Sequence, residues 1–273
     1  MFLRQRATQA EYCDRLDLPL AEVRVNYRQL ARLNRLLLVA DAFQRLLVRW
    51  LGREHVQRLS LLDLGAGDGW LDARIEVWAR GHGWDWRVTS LDANLSALQL
   101  GGDRRKVAGS VCALPFADDS FDVVIASQMT HHLSDEEVVQ HFREAWRVTR
   151  DALFLADVHR NTGALCVIWA LLRLLRVTPH FLADGLLSVR RGWRVAEWQR
   201  LAECAGIAVP RVWLYYGSRV MLQARKARQC SGFRVPGRVR LLPKDRGRSL
   251  TLPGGRNQVP PCPQPTEPSP GVA

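Results

Sequence analysis

The sequence predicts an α/β fold: a mostly parallel sheet whose last strand is antiparallel, flanked by helices, with a helical cap before it and a helical insertion within it. Three observations lead there. From Ser60 onward, short apolar runs alternate with amphipathic segments, the pattern of repeated strand–helix units. One such run, Leu61-Leu62-Asp63-Leu64, passes directly into the glycine turn Gly65-Ala66-Gly67-Asp68-Gly69. Near the end of the patterned region, Tyr215-Tyr216-Gly217-Ser218 separates two apolar segments, as a hairpin turn would.

Taken in order, residues 1–59 carry Leu30, Leu33, Leu37 and then Phe43, Leu46, Leu47 and Trp50 at helical spacing. With Pro19 early and Gly52 late, they fit two or three helices ending in a stop signal. The core spans 60–224. Strands are expected at Ser60–Leu64, Trp86–Leu91, Arg105–Ser110, Phe121–Ala126 and Ala152–Ala156, then at Ile207–Leu214 and Arg219–Ala224. Helices are expected at Leu71–Arg80, Leu95–Leu100, Asp135–Val148, Ala164–Leu175 and Val195–Ala205. Ser134 followed by Glu137 reads as a capping box opening the third of these. Residues 160–193 form the insertion, a natural lid. From 225 to 273 the pattern ends: nine of the 13 prolines lie there among glycines, so a disordered basic tail is expected.

The formal charge of +12 resides mainly in that tail, where ten Lys or Arg face only Asp245 and Glu267. The first 224 residues are nearly neutral, so no specific nucleic-acid partner is expected. The six cysteines are scattered, with no Cys-x-x-Cys pair and no Cys/His cluster. Neither a metal site nor a disulfide framework is indicated, and reduced thiols in a cytoplasmic protein are expected. Met1–Gln9 lacks the apolar stretch of a signal peptide. Ala164–Leu175, interrupted by Arg173, is shorter than the ~20 residues that span a bilayer. Its apolar stripe suits helix packing, an oily acceptor pocket or a peripheral membrane contact.

Glycines let backbone approach a ligand closely and adopt positive φ. The dinucleotide fingerprint requires a third glycine where this chain has Trp70. Asp63 and Asp68 flanking the turn would also repel a pyrophosphate and suit a ligand bearing an ammonium and a sulfonium. Asp92 ends the second expected strand, where a carboxylate accepts from ribose hydroxyls. The bland reading of Asp92 is a turn or cap residue.

These residues resemble class I, Rossmann-like methyltransferases, and more narrowly the type 11 group that includes ubiquinone and menaquinone methyltransferases. The likeness covers about Leu59 to Ala224 and rests on LLDLGAGDGW (61–70), SLDAN (90–94) and GSVCALPFADDSFDVVIASQMTHHL (109–133). It implies S-adenosylmethionine as cofactor. Asp63, Gly65, Ala66, Gly67 and Asp68 would hold its amino-acid end, Asp92 and Ala93 its ribose, and Ser110, Val111 and Cys112 its adenine. Ser127 and Gln128 would line the transfer site. The family often has an acidic residue where this chain has Ser110. A softer likeness of 27–38 and 156–193 to methyltransferases of polyketide and terpenoid-type gene neighbourhoods names no substrate.

The expected acceptor is a small, partly apolar molecule such as a phenol, quinol or polyketide, methylated on oxygen or carbon. Transfer to a hydroxyl benefits from a general base, and the candidates follow the fourth and fifth strands: His131, His132 and Asp157, with His159 and Arg160 nearby. An Asp157–Arg160 ion pair is the bland alternative. A catalytically silent binding protein on this fold, or a nucleic-acid methyltransferase, stay open at this point.

Overall fold

The structure, a computed structural model, describes residues 3–51 and 57–226. The Gly52 stop signal and residues 227–273 of the expected basic tail lie outside the described residues, and the tail's first residue, Arg225, is ordered as the end of a strand.

Seven strands form one sheet: β1 (Arg58–Leu64), β2 (Asp85–Asp92), β3 (Arg105–Ala108), β4 (Phe121–Ser127), β5 (Thr149–Val158), β6 (Arg211–Tyr215) and β7 (Arg219–Arg225). Their order is β3-β2-β1-β4-β5-β7-β6. The first five strands pair in parallel, and β7 inserts antiparallel between β5 and β6. The expected fold class is the observed one. Strand order reverses at β1, between β2 and β4, and in open α/β sheets ligands bind beyond the strand ends at that switch point.

Among the described residues eight α-helices surround the sheet: α1 (Leu20–Leu36), α2 (Val39–Leu51), α3 (Trp70–Gly81), α4 (Leu95–Leu100), α5 (Asp135–Val148), α6 (Thr162–Leu174), α7 (Pro179–Arg191) and α8 (Val195–Cys204). Because side chains alternate along a strand, one chain segment serves two layers. Leu61, Val123 and Phe154 pack with Phe43, Leu47, Ile75 and Trp86 on the side of α2 and α3. Leu62, Val124 and Leu155 pack with Phe142, Trp198 and Leu201 on the side of α5 and α8. A third cluster, with Leu33, Ile168, Leu172 and Phe181, ties α1 to α6 and α7 above the sheet.

Several boundaries differ from the sequence reading. Ser110 leaves β3, because Gly109 N–H already donates to Asp92 O (3.1 Å) and the chain turns. Residues from Ile207 close α8 instead of starting β6: Gly206 takes φ +78° and Ile207 N–H reaches back to Ala202 O. The insertion contains a second helix, α7, begun by Pro179 in its first turn. Cys204 is disulfide-bonded, which corrects the expectation of reduced thiols throughout; Cys13, Cys112 and Cys166 are free. The hairpin between β6 and β7 turns on Tyr216 and Gly217, both at positive φ, as a two-residue turn requires. Among the described residues no helix is long and apolar enough to cross a membrane.

Candidate active site

One cavity of about 490 Å³ opens at the carboxyl ends of the strands, roofed by α1, α6 and α7. Its wall contains all twelve residues expected to bind the cofactor, from Asp63 to Gln128, together with His131 and His132.

The glycine turn is shaped by backbone. Gly65, Gly67 and Gly69 take φ of +69°, +58° and +69°, a region costly to side-chain-bearing residues. A Cβ on Gly65 would lie 2.8 Å from Met129 Cβ, and one on Gly67 would lie 2.5 Å from the Tyr27 ring. Asp92 anchors the turn across the crevice: its carboxylate accepts from Gly67 N–H (2.8 Å) and Asn94 N–H (2.7 Å). Asp92 is thus a turn residue and not a helix cap: Asn94 caps α4, its side chain accepting from Ala97 N–H (3.1 Å). Asp68 accepts from Trp70 N–H (3.1 Å).

Asp63 is buried against Asp72, a partner the sequence reading missed. Burial raises both carboxyls, and the nearness of Asp72 raises Asp63 further, so the pair holds a proton between them. Asp72 also accepts from Ser90 Oγ. Asp63 lines the cavity at this point.

Residues Ser110 to Leu114 form a turn held from below by α5. Gln140 donates to Cys112 O (3.3 Å), His141 Nδ1 lies 3.3 Å from Val111 O, and Glu144 accepts from Leu114 N–H (2.8 Å). Ser110 Oγ accepts from Cys112 N–H (3.2 Å), an internal turn bond. The capping box of α5 is present, with Ser134 Oγ on Glu137 N–H and Glu137 on Ser134 N–H. At the end of β4, Gln128 sits at φ +56° while its N–H donates to Ala156 O (2.8 Å). Such strain at a non-glycine residue persists where the surroundings over-determine it.

The other end of the cavity gathers the titratable groups. His131 Nδ1 lies 2.6 Å from Asp157 Oδ1, and His131 N–H donates to Asp157 Oδ2 (2.8 Å). Thr130 Oγ1 also donates to this carboxylate. Asp157 is fully buried behind the histidine. Burial pushes its carboxyl up, yet the charge and hydrogen bond of His131 and that of Thr130 outweigh burial and hold it below the usual range. The Asp157 carboxylate orients the His131 ring by its contact with Nδ1 and leaves Nε2 on the side of Glu11. Arg160 does not pair with Asp157, which corrects that expectation: its guanidinium binds Glu197, Gly192 O and Leu3 O. His159 Nδ1 contacts Asn161 (2.7 Å). Neither His159 nor Arg160 lines the cavity.

The sequence reading missed the strap formed by residues 3–14. Tyr12 and Cys13 N–H groups donate to Asp184 of α7 (2.8 and 2.9 Å), and Tyr12 stacks on His180. Arg6 donates to His131 O (3.0 Å), Leu133 O and Arg191 O, and its guanidinium lies over Trp193. The strap thereby delivers Glu11 to within 3.6 Å of His131 Nε2 and Asp14 to 2.5 Å from His132 Nδ1. Burial pushes the Glu11 carboxyl up to about 7, opposed by His132 and reinforced by Asp14. Ligand-type atoms of Glu11, His131 and His132 fall within 4.8 Å of one another. The countercharge there is supplied by Arg191, 3.0 Å from Asp14 and 4.0 Å from Glu11. No sequence signal marks the strap, since its contacts bridge as many as 191 positions.

Comparison with known proteins agrees with this geometry. The type 11 family described as a methyltransferase domain matches residues 62–155. Demethylmenaquinone methyltransferase of Roseiflexus sp. (strain RS-1) is 35% identical over 94 residues, covering 33% of this chain and 37% of that protein. The enzyme of the same name from Roseiflexus castenholzii is 33% identical over 93 residues, with the same coverage. The chain thus spans little more than a third of the curated relatives it matches. In three dimensions it resembles a Methanococcus maripaludis protein assigned as an S-adenosyl-L-methionine-dependent methyltransferase. The TM-score is 0.52 at 16% identity, covering 74% of this chain and 93% of that one, which is a likeness of fold. Strand order, glycine turn and family match converge on one segment: residues 62–155 match the type 11 methyltransferase domain.

Proposed function

We propose that this protein transfers a methyl group from S-adenosylmethionine to a hydroxyl of a small, partly apolar acceptor. The observation that carries the reading is the sharing of one cavity by the glycine turn, Asp92 and His131, with Asp157 buried behind that histidine. The residues fit the cofactor by their own chemistry: the carboxyls of Asp63, Asp68 and Asp92 line one end of the cavity, and the glycine turn leaves no room for a Cβ at Gly65 or Gly67. When bound, the cofactor supplies an electrophilic methyl carbon and departs as a neutral thioether.

The chain's contribution is orientation, exclusion of water and removal of a proton. Leu16, Leu18, Leu30, Phe181 and Val189 give the acceptor end apolar walls. His131 Nε2 would take the proton of the acceptor hydroxyl, which frees its oxygen as the nucleophile. Asp157 fixes the tautomer and steadies the imidazolium. His132, drawn to Asp14, shapes the same wall. The demethylmenaquinone methyltransferases act on a quinone-type acceptor by their name, and a phenol or quinol suits these walls and this base.

The test is turnover of S-adenosylmethionine with phenols and quinols, scored as S-adenosylhomocysteine formed. His131→Ala is expected to lower kcat by about 10²-fold or more while cofactor affinity is kept. Unchanged kcat in that variant would remove His131 from the mechanism. Absence of turnover with any acceptor, despite cofactor binding, would favour a silent binding protein.

A further inference from the structure

Glu11 has no role in the mechanism above, yet it is among the most enclosed charged side chains lining the cavity. Its side chain is 5% exposed. Ser188 Oγ of α7 donates to Oε1 (2.9 Å), and the same oxygen faces His131 Nε2 at 3.6 Å. That separation is too long for a direct hydrogen bond. It leaves two polar atoms side by side, on residues that line the cavity together with Leu16, Leu18, Phe181 and Val189.

Resting on the methyl-transfer reading, we propose that Glu11 and His131 form a two-point clamp for an acceptor with two neighbouring oxygens, His131 taking the proton of one and Glu11 hydrogen-bonding the other. Two oxygens on adjacent ring carbons are spaced by roughly one hydrogen-bond length, so each can meet one arm of the clamp. Oxygens set one carbon further apart overshoot it. A carboxyl that titrates near neutrality donates to a carbonyl when protonated and accepts from a hydroxyl when ionised. The clamp therefore takes 1,2-dihydroxy rings and rings with a hydroxyl beside a carbonyl. The groups facing Glu11 fix it from three sides: His131 and His132 from the turn after β4, Asp14 from the strap, and Ser188 and Arg191 from α7. Removing the carboxyl leaves the base intact but strips the acceptor of its second anchor. Because a buried polar group left unpaired is penalised, a site built this way rejects acceptors lacking the second oxygen.

The experiment titrates catechol, resorcinol and phenol into protein saturated with S-adenosylhomocysteine, using wild type, Glu11→Gln and Glu11→Leu. Catechol is expected to bind wild type about 10-fold tighter than the other two. Glu11→Gln should keep most of that preference, and Glu11→Leu should abolish it while phenol affinity barely moves. Equal affinity for the three rings in wild type, or an undiminished catechol preference in Glu11→Leu, overturns the clamp. If Glu11→Leu does not fold, the wild-type ranking decides alone. Failure of wild type to take up S-adenosylhomocysteine would instead overturn the methyl-transfer reading.

Discussion

At Glu11 a carboxyl is held almost out of water beside a histidine, and the thermodynamic consequence has a definite sign. The group ionises near 4.5 in a free chain and near 7 when folded. Between those values the folded protein binds the extra proton, so stability falls as pH rises through the window, by at most about 3 kcal/mol. Glu11→Gln removes this dependence. Thermal melts should show the variant gaining on wild type from pH 5 to pH 8; a constant difference would contradict the assignment. Asp157 carries the second prediction at this scale. Asp157→Asn leaves a ring partner but favours the wrong histidine tautomer, so kcat should drop about 10²-fold or more with cofactor affinity unchanged. A parallel loss of cofactor affinity would instead mark Asp157 as a support of the whole site. His131, His132 and Asp157 could be picked out from their places after β4 and β5. Asp72 and Glu11 could not, because their importance lies in partners far away in the chain.

Among the elements, the glycine turn was the most legible, since an apolar run, spaced glycines and flanking acids appear together within ten residues. Its conformation now explains that spacing. Gly65→Ala places a Cβ 2.8 Å from Met129 Cβ at a φ of +69°. S-adenosylhomocysteine affinity should fall at least 10-fold, with far-UV circular dichroism unchanged and a lower melting temperature. Retained affinity would show that the turn does not carry the cofactor. The helices α3, α4 and α5 were legible from periodicity and, for α5, from its cap. The split of the insertion into α6 and α7 was harder to read, because both helices are apolar enough to blur their boundary. The strap was illegible for a different reason: residues 3–14 show no period, and only the 3₁₀ turn Tyr12–Asp14 is regular.

At the scale of the whole molecule, the cavity is a seam between two bodies of structure. The sheet and its turns supply the cofactor end, while the strap, α1, α6 and α7 supply the acceptor end. Arg6 is the fastening, reaching His131 O, Leu133 O and Arg191 O at once. Arg6→Ala should loosen the strap, seen as faster limited proteolysis before residue 14 and a raised acceptor KM at near-constant cofactor affinity. Unchanged proteolysis would mean that Asp184 and the Tyr12–His180 stack hold the strap without it. The central claim remains that this cavity binds S-adenosylmethionine, and calorimetric titration of S-adenosylhomocysteine into wild type and Asp92→Ala tests it most directly. The account expects micromolar binding, at about −8 kcal/mol, that is lost in the variant. No heat of binding to folded wild-type protein would contradict it.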